Sequence, residues 1–217
     1  MNAVMESVRI PAAGVELEAD VVIPKAAKGV VLFAHGSGSS RHSPRNRYVA
    51  GELQTVGLGT VLADLLTRQE DVLDAVTGSL RFDIGVLSAR LVDLSDWLQN
   101  YEPTMHLGLG LFGASTGAAA ALVAAAARQD TVRAVVSRGG RPDLAGKSLE
   151  RVDRPTLLIV GEADHHVVEL NREAAQRIPG EVRIEVVPGA THLFEEPGTL
   201  EQVARLAREW FERHLAD

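Results

Sequence analysis

A serine stands between two glycines in Gly113-Ala114-Ser115-Thr116-Gly117, at the end of a short apolar run that begins at Leu109. A serine hydroxyl is a weak nucleophile until a base takes its proton. On a tight strand-to-helix turn it can be held up at a sheet edge, beside the first amides of the helix. Flanking glycines let strand and helix approach without side-chain clash. Outside that setting, the same five residues read as a glycine-rich turn.

Seven histidines could supply the base. His192, in Pro188-Gly189-Ala190-Thr191-His192-Leu193-Phe194, lies in a loop after the last predicted strand. The others have plainer settings. His214 falls in the final predicted helix, His106 opens a strand, His35 and His42 follow the first buried strand, and His165 and His166 adjoin an acid. An acid that orients the imidazole is expected at another strand end. The run Leu157-Leu158-Ile159-Val160-Gly161-Glu162-Ala163-Asp164 offers Asp164, which would fix the His192 tautomer and stabilise its imidazolium. The competing reading makes Asp164 an N-cap for the helix that follows. Glu162 is the nearest rival and reads as a solvated turn residue. Asp164-His165-His166 hints at a metal, but adjacent histidines point in different directions and no further ligand set is apparent, so no metal site is expected.

Charge developing on a carbonyl oxygen needs donors. His35-Gly36-Ser37-Gly38-Ser39 follows the first buried strand, and the amides of Ser37 and Thr116 are the candidate oxyanion pair. Arg41, Arg45 and Arg47 follow that loop, while Arg138 and Arg141 follow the strand after Ser115. Five arginines near one rim suggest an anionic substrate group, with Arg41 and Arg138 as its candidate contacts. Pairing with local acids such as Asp64 and Asp71 is the alternative.

These residues need a scaffold that brings strand ends together. Ser7–Ile10 and Val15–Val22 alternate apolar and polar residues, as an antiparallel edge pair would. Apolar runs at Val30–Ala34, Gly57–Ala63, His106–Phe112, Val132–Ser137, Pro155–Val160 and Val182–Val187 predict further strands. Helices are predicted at Pro44–Val56, Ser79–Asn100, Thr116–Arg128, Val167–Ile178 and Thr199–Leu215, with Arg138–Glu150 irregular. Strand–helix alternation implies a mostly parallel sheet covered on both faces, with functional loops at the carboxyl ends of the strands.

The 217 residues suit one domain, 1–217, and 46% hydrophobic with 24% charged residues is ordinary composition. A net charge of −7 disfavours a nucleic-acid partner. The chain has no cysteine, which excludes disulfides, thiolate–metal sites and a cysteine nucleophile. The opening residues show no secretory leader, and the apolar run Gly117–Ala127 is too short to span a bilayer. The expectation is a cytoplasmic protein without a membrane partner.

The order Ser115…Asp164…His192 is the chain order of α/β-hydrolases. With VVLFAHGSGSS, VLADLLT, GLFGASTGAAAA, LLIVGEADHHV and PGATHLFEEPG, the chain resembles that superfamily and, within it, the dienelactone hydrolase-like branch. The resemblance spans Val30 to Gly198. It implies a mostly parallel sheet of about eight strands, a nucleophile–Asp–His triad at Ser115, Asp164 and His192, and no cofactor. It also implies a small-molecule ester or lactone substrate. Dienelactone hydrolases use a cysteine nucleophile; here a serine takes that place, which favours a serine esterase. The short interval between Val136 and Pro155 leaves room for only a minimal cap. Two other readings stay open: a non-catalytic hydrolase-like binding protein, and an acyltransferase or thioesterase using the same triad.

Overall fold

A computed structural model describes residues 4–215. One eight-stranded sheet runs through it: β1 (Val4–Ala12), β2 (Val15–Ile23), β3 (Val30–Ala34), β4 (Gly59–Ala63), β5 (Leu109–Ala114), β6 (Val132–Arg138), β7 (Thr156–Gly161) and β8 (Val182–Val187). Their order across the sheet is β1-β2-β4-β3-β5-β6-β7-β8. Strand β2 is antiparallel to both neighbours, and the pairs from β4 to β8 are parallel. This is the α/β-hydrolase architecture expected from the sequence.

The strand types follow from burial. Strands β3, β4, β5 and β7 are buried at every position, as parallel strands covered on both faces must be. Strand β2 alternates along its length because one face meets the core and the other is partly open. Val30, Leu32 and Ala34 enter the core on one side of the sheet, while Val31 and Phe33 enter it on the other. The first side is filled by helices α3 (Ile84–Asn100) and α4 (Thr116–Ala127), the second by α1 (Pro44–Thr55) and α6 (Thr199–Leu215). Helix α4 reads TGAAAALVAAAA and is buried almost all round, so its small residues let it lie close to the sheet and to α3.

Helix α2 (Arg68–Thr77) is absent from the sequence reading, and α3 starts at Ile84 rather than Ser79, with Asp83 as its cap. Strand β5 begins at Leu109, after a turn that holds His106. Helix α5 (His165–Ala175) starts two residues earlier than expected. The predicted irregular segment after β6 holds short 3-10 turns at Pro142–Arg151, broken at Gly146, and no cap domain.

The register sets the site. Ala34 lies opposite Ala63 on β4 and Gly113 on β5, Ala114 opposite Arg138, and Arg138 opposite Ile159. The loops carrying His35, Asp64, Ser115, Gly139 and Asp164 therefore leave the sheet along one edge.

Candidate active site

Ser115 sits between β5 and α4 with φ 51° and ψ −120°, a backbone state that a residue with a Cβ adopts only under strain. Its neighbours explain how the strain is held. A Cβ on Gly113 would stand 2.4 Å from the Ala118 Cα, and one on Gly117 would stand 2.3 Å from the Ala34 carbonyl oxygen and 2.5 Å from that of His35. Both glycines are thus demanded by backbone on the far side. The Ser115 amide donates to the Arg138 carbonyl at 3.2 Å, and the Ser115 carbonyl accepts from the amides of Ala118 and Arg141, both at 3.1 Å. Gly117→Ala is expected to cost about 2–3 kcal/mol by overpacking against main chain that cannot retreat. At about 2–4 °C per kcal/mol for a chain of this size, thermal unfolding should drop by roughly 5 °C or more. An unchanged midpoint would mean that the loop after β3 yields freely.

Asp164 occupies the N-cap position of α5 but makes no side-chain cap there. Its Oδ2 lies 2.6 Å from His192 Nδ1 instead. The acid and histidine loops are tied to each other as well: the Ala163 amide donates to the Ala190 carbonyl at 2.9 Å, and the Gly189 amide donates to Glu162 at 2.8 Å. Glu162 therefore braces the histidine loop rather than the imidazole. Gly161 is needed where the loops meet, since a Cβ there would stand 2.4 Å from the Ala190 carbonyl oxygen. His192 reaches the serine side through Gly139, whose missing Cβ would stand 3.6 Å from His192 Cε1, one residue beyond the Arg138 carbonyl that holds Ser115. Ser115, Asp164 and His192 thus come from three strand ends of one edge.

Gly36 packs on the same turn. A Cβ there would lie 3.0 Å from the Ser115 Cβ and 3.1 Å from the Ala114 carbonyl oxygen. Ser37 and Thr116 line one narrow crevice together with His35, Gly36, Gly38 and Leu87. Thr116 is the first residue of α4, so its amide has no preceding helical turn to donate to. A wider cleft of about 890 Å³ is lined by His35, Ser39, Arg41, Asp64, Thr67 and Asp71.

The two candidate substrate arginines part company. Arg41 is turned to carboxylates: it pairs with Glu18 at 2.6 Å and with Asp20 at 3.6 Å, it pairs with Asp64, and its amide donates to Asp64 at 2.7 Å. Arg41 thus makes the pairing with local acids that the sequence offered as the alternative, its guanidinium ringed by three carboxylates. Arg138 is the opposite case. Its side chain is buried, and its Nε and Nη1 have no hydrogen-bond partner. Burial pulls its guanidinium down to about 10, and the charge of Arg45 adds to the effect. Arg45 pairs with Glu195 at 3.1 Å, but its Nε is also buried and unpartnered. Arg141 is bound to Asp143, and Arg47 to Asp20.

Residues that the sequence reading did not single out also shape the site. Asn171 of α5 is fully buried and donates to the Gly140 carbonyl at 3.0 Å, which ties the loop after β6 to the helix after Asp164. Arg90 of α3 is buried against Glu70. Neither lies in a motif; a charged residue on the apolar face of a predicted helix is the signal that could have marked Arg90. Among the described residues, no group of three His, Asp or Glu could hold a metal ion, and no helix is long and apolar enough to cross a membrane.

Comparison with known proteins shows the family and the fold. The model of the dienelactone hydrolase family matches residues 17–215. A crystal structure of a dienelactone hydrolase from Anabaena variabilis is 55% identical, covers 98% of this chain and 99% of its own, and superposes with a TM-score of 0.96. A lidless α/β serine hydrolase from Xanthomonas campestris shares the fold at 21% identity and a TM-score of 0.75, covering 97% of this chain and 95% of its own. A protein of Mycobacterium tuberculosis, whose name assigns it provisionally to the phosphoribosyl transferases, is 57% identical over 210 residues. That match takes in 97% of this chain but only 46% of the relative, so the chain spans about half the length of the curated relatives it matches.

Proposed function

The chain belongs to the dienelactone hydrolase family, and from that premise we propose that it is a serine hydrolase of small carboxylic esters or lactones. The observation that carries this reading is the Asp164–His192 hydrogen bond at the strand ends beside a strained serine turn. His192, with Nδ1–H donated to Asp164, presents Nε2 as the base. Ser115 Oγ attacks the substrate carbonyl carbon and its proton passes to His192. The oxyanion so formed is held by the amides of Ser37 and Thr116. Collapse breaks the ester C–O bond, the departing alkoxide takes the proton from His192, and an acyl-serine remains. Water then attacks that ester, again giving its proton to His192, and the carboxylic acid leaves as Ser115 regains its hydrogen. In a lactone, the released alcohol stays tethered to the acyl group.

The transferase name of the longer relatives is not carried over, because this chain accounts for less than half of those proteins. Acyl transfer and thioester hydrolysis would use the same residues. Steady-state rates with short acyl esters, thioesters and lactones, in water and with added alcohol acceptors, separate these from ester hydrolysis. Absence of turnover on all of them would favour a hydrolase-like binding protein.

The reading extends to an anionic substrate group, supported by the buried Arg138, whose Nε and Nη1 lack hydrogen-bond partners, next to the Ser115 turn. A guanidinium fork matches a carboxylate, and a buried cation without a counter-charge gains most when an anion reaches it. A hydrogen bond to a charged group is worth about 1.5–3 kcal/mol. Arg138→Ala should therefore lower kcat/KM for a carboxylate-bearing ester by at least about tenfold and leave a neutral analogue within about threefold. Equal losses on both substrates would give Arg138 a purely structural role.

A further inference from the structure

His35 is buried, yet neither ring nitrogen is free for a substrate. Nδ1 lies 2.9 Å from the Gly36 carbonyl oxygen, and the Leu65 amide reaches Nε2 at 2.9 Å. A carbonyl can only accept and an amide N–H can only donate, so the two partners select one state. It is the neutral imidazole with its hydrogen on Nδ1. The ring thereby bridges the loop after β3 and the loop after β4.

The bridge continues at both ends. The Leu65 carbonyl accepts from Arg90 Nη1 at 2.6 Å, and the same guanidinium holds both oxygens of Glu70, at 2.9 and 2.6 Å. Glu70 in turn accepts from the Thr67 amide at 2.8 Å and completes the capping box of α2. On the other side, Gly36 is packed on Ser115, and Ser37 follows it in the chain. One run of hydrogen bonds thus leads from the cap of α2, through Arg90, Leu65 and His35, to the segment beside Ser115.

We propose that His35 is a positioning residue that fixes the oxyanion loop in its neutral, Nδ1-protonated form, with the Arg90–Glu70 pair as its buttress. The proposal rests on the reading of Ser37 as an oxyanion donor. Protonating Nε2 would set two N–H groups head to head at Leu65 and cut the bridge. The groups facing the ring are the Gly36 carbonyl of its own loop, Asp64 beyond β4 and Asp71 of α2; Arg41 stands in the ion cluster around Asp64. Burial keeps the imidazole below its ordinary value of 6.5, against the opposing pull of Gly36, Asp64 and Asp71. A histidine whose folded-state value is lowered binds more protons when unfolded. Its share of stability is complete above 6.5 and is lost as pH falls through the folded value. The loop loosens in that same window.

Three measurements test this. His35→Phe removes both bonds and should lower kcat about ten- to a hundredfold, somewhat less than deleting an oxyanion donor outright, with KM within about threefold. His35→Gln offers a carbonyl to Leu65 that does not titrate; it should recover most of kcat and lose one low-pH ionisation from the kcat profile. Nitrogen NMR of the native protein at pH 7 should show a neutral His35 ring protonated at Nδ1. An unchanged kcat in His35→Phe, an unaltered profile in His35→Gln, or an Nε2-protonated ring would each overturn the proposal. If His35→Phe does not fold, the glutamine profile and the ring tautomer decide it. Activity lost in Ser115→Ala but intact in His35→Phe would sink this inference and leave the hydrolase reading standing. Activity retained in Ser115→Ala removes both.

Discussion

Replacing Ser115 by alanine is expected to lower ester turnover by at least about 10⁴-fold and to abolish covalent labelling by a fluorophosphonate. When a nucleophile that works as a unit with its base is removed, only binding and oxyanion stabilisation remain, and losses on this order follow. Labelling is the sharper readout. Serine Oγ displaces fluoride from phosphorus while the base takes the proton, so it reports the nucleophile without a known substrate. The variant should keep its fold. The turn is held by main-chain bonds, from the Ser115 amide to Arg138 and from Ala118 and Arg141 to the Ser115 carbonyl, and these do not involve the hydroxyl. Alanine inherits the same positive φ and the same fit between Gly113 and Gly117. Undiminished labelling of the alanine variant would move the nucleophile elsewhere and leave the serine turn without a role.

The candidate site residues could be placed on one edge because each follows a predicted strand, and parallel strands send such ends to one edge. Ser115 after β5, Asp164 after β7 and His192 after β8 needed only that rule. Strand order was not legible, and it decides which side chains surround Arg41. Glu18 and Asp20 lie on β2, far from Asp64 in sequence. Only the pairing of β2 with β4, Asp20 opposite Leu62, brings these acids into one cluster around Arg41. Arg138 has no such neighbour strand of carboxylates. The sequence equated two arginines that the sheet separates.

Helix α2 escaped for a different reason. Apolar periodicity detects a helix by the face it buries, and Asp74 is the buried residue of α2, while Val72, Leu73 and Val76 are exposed. Its end signals were nonetheless present, with Thr67 and Glu70 as a capping box and Gly78 in the left-handed state at the C-terminus. Reading ends before faces would have found it. The His35 bridge was hidden likewise. Its partner Leu65 is 30 residues away, and only the parallel pairing of β3 with β4 sets the two loops side by side.

Asp164→Asn should lower kcat by about 10⁴-fold while KM stays within a few-fold, which makes it the sharpest test of how the base is held. The carboxylate can only accept, so it selects the imidazole tautomer with hydrogen on Nδ1 and leaves Nε2 free to take the serine proton. Asparagine keeps the shape but can turn its NH₂ toward Nδ1. The ring then carries its hydrogen on Nε2, where it cannot serve as base. Stability should hardly change. Asparagine keeps the volume, Asp164 has no side-chain cap to lose, and the main-chain bonds from Asp164 to Gly161 and from Val168 to Asp164 survive. The rival acid supplies the control. Glu162 accepts from the Gly189 amide, so Glu162→Gln should retain most of kcat, because an amide carbonyl can still accept that bond. If the asparagine variant stayed active and the glutamine variant did not, Glu162 would be the orienting acid and Asp164 a plain helix start. The 2.6 Å contact with His192 and the missing side-chain cap on α5 argue for the first outcome, since the carboxylate is directed at the ring and not at the helix amides.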